Sequence, residues 1–413
     1  MTDAHRTSSA DDATTLDAPI DGVPTAGALT ASVPTAGART AEALTADALT
    51  SGSRRLAGQV RIVGSGLLGA SIGLRLRQHG VDVILDDVSP AARSLAVDYG
   101  AGRAPAESDD PVLVVVAVPP DVTSDIVARE LDAWPEALVT DVASVKVAPL
   151  AELRARGADV SRYIGSHPMA GRERGGAVSA RADLFVGRPW VIAGHDDITY
   201  RRAAAVEDLA LDLGATPVEM TPEEHDAGVA LVSHAPQVVA SLMATRLRDA
   251  PDASLGLAGQ GVRDVTRIAS SDPVLWTQIL GANASRVADV LRDLRADLDR
   301  VLGALEAPDA PGSRRTVAES IGAGNGGVAR LPGKHGQQTQ FSSVIVMVDD
   351  TPGQLARLLT EIGEIGVNLE DLRLEHSPGA QVGLAEVSIV PELEDRLVTE
   401  LEARGWTVAG AFA

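Results

Sequence analysis

The chain has 413 residues, enough for two or three domains with cores of their own. Its 57 acidic residues against 36 basic ones give a net charge of -21, which opposes nucleic acid and anionic membrane as partners and leaves any anionic ligand to local arginines. The absence of cysteine excludes disulfides, thiolate metal sites and thiol nucleophiles. A cytoplasmic protein is expected, since the N-terminus also lacks a basic start followed by an apolar core.

Residues 1–57 carry no lysine and no aromatic side chain, and contain the near-repeat VPTAGALTA (23–31) and VPTAGARTA (33–41). Such a segment cannot bury enough apolar surface to offset its ordering entropy, and a disordered extension is expected. From Gly58 the pattern changes to strand QVRIV, turn GSGLLG, a helix closed by Gly80, strand VDVILDD, a helix, the apolar strand PVLVVVAVP, and strand ALVTDVAS before helix VAPLAELRARG. Strands alternating with helices of this length indicate an α/β Rossmann-type dinucleotide-binding domain over 58–200, with a parallel sheet covered on both faces. Gly64, Gly66 and Gly69 form G-x-G-x-x-G between a strand and a helix. The first glycine permits the tight turn, the second lets backbone approach a pyrophosphate, and the third lets helix and strand pack closely. Ser65, Leu67 and Leu68 complete the loop at the helix N-terminus, whose unpaired N–H groups face the phosphates. An acid ends the next strand, where it would accept hydrogen bonds from the ribose hydroxyls and repel a 2'-phosphate. Asp87 is the preferred residue, with Asp86 as competitor, and NAD is expected over NADP. No metal is expected.

Further along, YIGSHPMAGRERGG places His167 after an apolar run that leads to the mouth of the sheet. Strand signals stop after RPWVIAG. TPEEHDAGVALVSHAPQVVASLMATRL then opens with a capping box, Thr221 and Glu224, and with Pro222 at the first helical position. Its stretch 227–245 is free of charge and long enough to raise the question of a membrane. However, Ser233, His234, Pro236, Gln237 and Ser241 make it a helix buried in protein, so no membrane partner is expected. Two further helical stretches complete an all-α domain over 201–306, the longest being DPVLWTQILGANASRVADVLRDLRADLDRVLGAL. Residues 307–340, rich in Gly, Pro and Ser, are expected to form a linker. Residues 341–413 show the order βαββαβ, a ferredoxin-like α+β unit.

Four separated segments carry a resemblance: TDVASVK (140–146), SHPMAG (166–171), LVSHAPQ (231–237) and VRDVTRIASSDPVLW (262–276). Together, over about Val60 to Leu305 and with LPGKHG beyond, they resemble the prephenate/arogenate dehydrogenase family of tyrosine biosynthesis. DDTPGQLARLLTEIGEIGVNLEDL resembles an ACT domain. The resemblance implies NAD-dependent oxidative decarboxylation, with His167 matching the catalytic histidine and Ser144 a serine that touches both the substrate hydroxyl region and the cofactor. Arg267 matches an arginine that binds a substrate carboxylate, and His234 a second substrate-facing histidine. Gln237 stands where many relatives have histidine, so it bears on which substrate side chain is accepted. Glu173 and Asp264 match acids of an ionic gate, and Trp276 could close the pocket from a second subunit of a homodimer. In the ACT-like unit, Asp350, Pro352, Gly353 and Asn368 would contact an amino-acid effector, with tyrosine as the candidate. The resemblance leaves prephenate and arogenate both open as substrate. A catalytically silent amino-acid sensor is the alternative of a different class, disfavoured by the presence together of Ser144, His167 and Arg267.

Overall fold

The computed structural model describes residues 54–171, 175–331, 341–376 and 382–412. The expected disordered extension lies outside these apart from its last four residues, where the Arg55 and Leu56 N–H groups donate to the Asp212 carboxylate.

The first domain is a seven-stranded sheet. In chain order it comprises β1 (Gln59–Val63), α1 (Leu67–Gln78), β2 (Asp82–Asp86), α2 (Pro90–Asp98), β3 (Pro111–Val116), α3 (Thr123–Ala133), β4 (Leu138–Asp141), α4 (Val147–Ala155), β5 (Tyr163–Pro168), β6 (Pro189–Ala193), α5 (Tyr200–Asp212) and β7 (Thr216–Met220). The strand order is β2-β1-β3-β4-β5-β6-β7, parallel from β2 through β5, with β6 antiparallel to β5 and β7 parallel to β6. β1 lies between β2 and β3, so the chain leaves it to one side and later returns on the other. The crevice at the C-terminal ends of β1 and β3 is the switch point where open α/β sheets bind ligands. Val60, Ile62, Val83, Leu85, Leu113 and Val115 are fully buried, as strands covered on both faces require.

The structure differs from expectation after residue 193. α5 and β7 still belong to the sheet, and Pro217 pairs with Trp190, so the first domain runs to Met220 rather than to residue 200. β7 escapes notice because it is short and carries a proline, which an edge strand tolerates. Only Thr221 separates β7 from α6 (Pro222–Leu247). Thr221 Oγ1 accepts the Glu224 N–H while the Glu224 carboxylate accepts the Thr221 N–H, which satisfies two donors at the start of the helix.

α6 is long and apolar enough to cross a membrane by length and composition. It widens into a π turn at Ala230–His234. Pro236 explains this: it has no N–H, and its ring would clash with the carbonyl one regular turn back. Only 33% of its most apolar window is buried in the single chain, and Leu231, Val232, Leu242 and Met243 are exposed, so burial inside one chain accounts for part of the helix only. α7 (Gln260–Thr266), α8 (Pro273–Ala282) and α9 (Ala284–Glu306) follow. The single long helix expected over the last two is broken at Asn283, whose side chain turns inward to bond Asp226 O and His234 Nδ1. The expected linker also contains a helix, α10 (Ser313–Val328), packed along α9. Its glycines lower helix propensity, and that packing overrides it.

Beyond lies a four-stranded antiparallel sheet of order β11-β8-β10-β9, built from β8 (Ser342–Asp349), β9 (Asp371–His376), β10 (Val382–Ile389) and β11 (Thr407–Phe412). Two helices, α11 (Gln354–Ile365) and α12 (Glu394–Ala403), pack on it through a core that includes Val346, Leu358, Ile362, Val387, Leu397 and Leu401. This is the ferredoxin-like arrangement that the βαββαβ order predicts.

Candidate active site

The glycine loop joins β1 to α1 at the switch point. Gly64 has φ +103°, and a Cβ there would stand 2.2 Å from Ala117 O. A Cβ on Gly69 would stand 1.9 Å from Gly64 O, so helix and loop pack at a distance that only glycine allows. Gly66 is different: a Cβ would meet nothing within 4 Å. Its bare backbone faces open space, and α1 begins there without a side-chain cap. Ser65 Oγ is buried beside it with no protein partner. These features fit a pyrophosphate seated on the helix N-terminus, with N–H groups of the loop from Ser65 to Leu68 within its reach.

The two acids behind the loop have separate partners. Asp86 pairs with Arg61 at 2.6 Å and Arg93 at 3.5 Å. Asp87 accepts the Ser65 N–H at 2.7 Å and the Ser89 N–H at 2.8 Å. Its carboxylate therefore belongs to the loop itself, where a ribose would lie.

His167 sits near the end of β5, opposite Val191 of β6. On its other side β5 pairs in parallel with β4, Asp141 opposite Gly165, and the loop after β4 carries Ser144, so both residues lie at the C-terminal ends of adjacent strands. His167 and Ser144 are each half-buried. His167 Nδ1 is 2.9 Å from His225 Nε2, with the rings edge-to-face at 5.1 Å. His225 Nδ1 in turn is 2.7 Å from Asp226 Oδ1. His225, Asp226 and His234 are almost fully buried. Burial, foremost, and then the neighbouring His225, Lys146 and His234 hold the His167 imidazole well below the usual histidine range, so it is neutral at pH 7. Burial likewise pushes His225 down, and His234 down to about 4.

A second cluster supports the first. Lys146 is buried against the Asp141 carboxylate, which also accepts the Tyr163 hydroxyl at 2.7 Å and the Ala143 N–H at 2.8 Å. The Lys146 and Val147 N–H groups, at the start of α4, donate to Asp226 at 2.8 and 3.0 Å. Asp226 thus ties the helical domain to the sheet at the site itself.

His234 lies on the π turn of α6, its Nδ1 3.2 Å from Asn283 Nδ2, and Trp276 meets its ring edge-on at 6.1 Å. Trp276 thus packs within its own chain. Gln237 Nε2 donates to Ser271 Oγ at 2.6 Å and to Ser241 Oγ at 3.3 Å. Arg267 is exposed on the turn packed against α6, four residues before Ser271, and has no ion pair among the described residues. Asp264 accepts from Gln260 at 2.8 Å on exposed α7, and Glu173 lies outside the described residues. His225, Asp226 and Asn283 were not singled out from the sequence. The available signal was EEHD, a histidine beside an acid one turn into a capped helix.

A dinucleotide crevice with a neutral, half-buried imidazole at the same C-terminal end of the parallel strands defines the class: an oxidoreductase of the nucleotide-dependent dehydrogenase type. Comparisons with known proteins make this specific. Residues 72–219 match the prephenate dehydrogenase nucleotide-binding domain and residues 221–319 the prephenate dehydrogenase dimerization domain, a division that falls at the Met220–Thr221 join. The chain is 36% identical over 356 residues to "Probable prephenate dehydrogenase NovF" of Streptomyces niveus, covering 84% of this chain and 98% of that one. Identity to the prephenate dehydrogenase of Bacillus subtilis is 26% over 364 residues, covering 84% and 96%. The crystal structure of prephenate dehydrogenase from Aquifex aeolicus, in complex with hydroxyphenyl propionate and NAD+, superposes with a TM-score of 0.58 at 27% identity, covering 66% of this chain and 99% of that one. The chain belongs to the prephenate dehydrogenase family.

Proposed function

We propose that this chain oxidises and decarboxylates prephenate to 4-hydroxyphenylpyruvate with NAD, and that His167 is its base. The observation that carries the reading is the neutral, half-buried His167 at the C-terminal end of the parallel strands, the side of the sheet that also holds the glycine loop and Ser144. Gly64, Ser65, Gly66, Leu67, Leu68 and Gly69 would hold the pyrophosphate and Asp87 the ribose. Bound NAD supplies the acceptor for the hydride that leaves the ring carbon. His167 takes the proton of the substrate hydroxyl as that carbon becomes a carbonyl. The bond to the ring carboxylate then breaks, carbon dioxide leaves, its electron pair enters the ring, and the proton returns to the phenolate oxygen. A base of this kind contributes about 10²–10⁴-fold. Ser144 donates to and accepts from the same region, and Arg267 offers a planar fork to a carboxylate.

Arogenate is the second reading, and Gln237 favours it. With its amide nitrogen committed to Ser271 and Ser241, the side chain has its carbonyl left to accept, which suits an ammonium group better than a ketone. The described relatives allow either, since the arogenate dehydrogenase structure of Synechocystis also superposes, with a TM-score of 0.54 at 26% identity over 65% of this chain and 99% of that one. Glu173 and Asp264 are retained as gate residues, and His234 and Trp276 as the inner wall of the pocket.

The chain acts as a homodimer in this reading. Leu294, Leu298, Leu302 and Leu305 form an exposed stripe along α9, and with the exposed residues of α6 they provide the apolar face that a second copy covers. The ferredoxin-like unit serves as an ACT-type sensor for tyrosine. Asp350, Pro352 and Gly353 are exposed at the start of α11, Gly353 with φ +93°, and Asn368 is exposed at its far end. The test is direct: the purified chain is given prephenate or arogenate with NAD or NADP. NADH and carbon dioxide are expected from one of the two substrates and NAD, and no NADH from either would overturn the assignment.

A further inference from the structure

We propose that His225 and Asp226 are positioning residues that fix His167 as its Nδ1–H tautomer and so present the Nε2 lone pair to the substrate. The inference rests on the reading of His167 as the base. Asp226 is held from outside by the Lys146 and Val147 N–H groups, which can only donate. Those contacts and His225 keep its carboxyl ionised, below the usual range despite burial. It can therefore only accept, and His225 Nδ1 must carry the hydrogen across the 2.7 Å contact. Burial keeps His225 neutral, so its Nε2 has a lone pair and no proton. The 2.9 Å contact then requires His167 to donate from Nδ1. That leaves His167 Nε2 unprotonated, the nitrogen a base needs.

The other charged groups around His167 do not compete for this role. Asp141 is taken up by Lys146, Tyr163 and the Ala143 N–H, and Lys146 is paired with Asp141. His234 turns its Nδ1 to Asn283. During turnover His167 gains a proton at Nε2, its Nδ1–H stays on His225, and the buried charge of Asp226 lies one ring away to offset the new cation. Because Asp226 also caps the start of α4, the tautomer of the base is set only where the helical domain is seated on the sheet.

The full-length protein is tested as His225→Leu, His225→Gln and Asp226→Asn, with His167→Asn as reference. For His225→Leu, kcat is expected to fall about 10²–10³-fold, with KM for both substrates within roughly threefold. The acid limb of the pH profile should move to lower pH, since the imidazolium loses its acceptor. His225→Gln, whose amide oxygen can accept from Nδ1, should recover about tenfold. An inactive His167→Asn beside a His225→Leu variant with near-full kcat and an unmoved acid limb would overturn this proposal and leave the base in place. Equal losses in the Leu and Gln variants, matched by loss of folded protein in thermal melts, would show a structural role and overturn it too. Full turnover by His167→Asn would remove the base and the proposal together.

Discussion

Adjacent carboxylates at the end of β2 have different tasks. Asp86 neutralises two arginines, whereas Asp87 leans on the glycine loop through the Ser65 and Ser89 N–H groups. Asp87→Asn should keep that geometry and lose the charge. KM for NAD is expected to rise about tenfold, a loss of ~1.4 kcal/mol, while the preference for NAD over NADP shrinks. Asp86→Asn should lower thermal stability and leave the cofactor ratio unchanged. Rates with both cofactors decide this, and a ratio that moves with Asp86 instead would reverse the assignment. The pair Asp86 and Asp87 is legible in the sequence because a strand, three glycines and the distance to the next strand end point to it, but the spacing does not choose between them. His225 is not legible there. Its significance comes from meeting a ring 58 residues earlier in the chain, and adjacency of His and Asp on a helix is common.

Among the elements, the loop between β1 and α1 separates packing from binding. Gly69→Ala pushes a methyl group onto the Gly64 carbonyl and should cost about 1–3 kcal/mol, read as a lowered melting temperature. Gly66→Ala meets open space, so its melting temperature should stay near that of the parent while NAD binding weakens. If both variants melted alike and bound alike, the loop would not be a nucleotide cradle. The π turn of α6 marks where sequence reading runs out. On a regular helix, residues nine apart lie on opposite sides, at about 100° per residue. The wider turn removes roughly a quarter of a rotation and brings His234 round toward the Asn283–Asp226 contacts. Pro236 was visible in the sequence, but the direction of its correction was not. β7 and α10 are hard to read from sequence for a related reason: proline in one and glycine in the other weaken local preference, and pairing with β6 or packing on α9 restores it.

For the whole molecule, half-buried His167 and the buried His225 and His234 make stability depend on pH. His167, His225 and His234 are all held below their ordinary value of 6.5, His234 at about 4. Their folded forms stay neutral while the unfolded chain takes up protons, so stability falls as pH drops below about 6.5, and the His234 share is fully lost near 4. Melting temperatures should be level above pH 7 and fall steadily from there toward pH 4. His234→Gln should melt lower at pH 7 but with a shallower slope, and a parent protein equally stable at pH 7 and pH 5 would contradict the burial of these rings. Thr221 is the whole connection between the two lobes. One residue joins the sheet to the helices, and it is locked by reciprocal bonds with Glu224. Swinging the lobes apart would strip Asp226 from the Lys146 and Val147 N–H groups at the start of α4, the bonds that seat the helices on the sheet beside His167. The seating of the two lobes and the hydrogen bonding of His167 through His225 therefore hang on the same carboxylate.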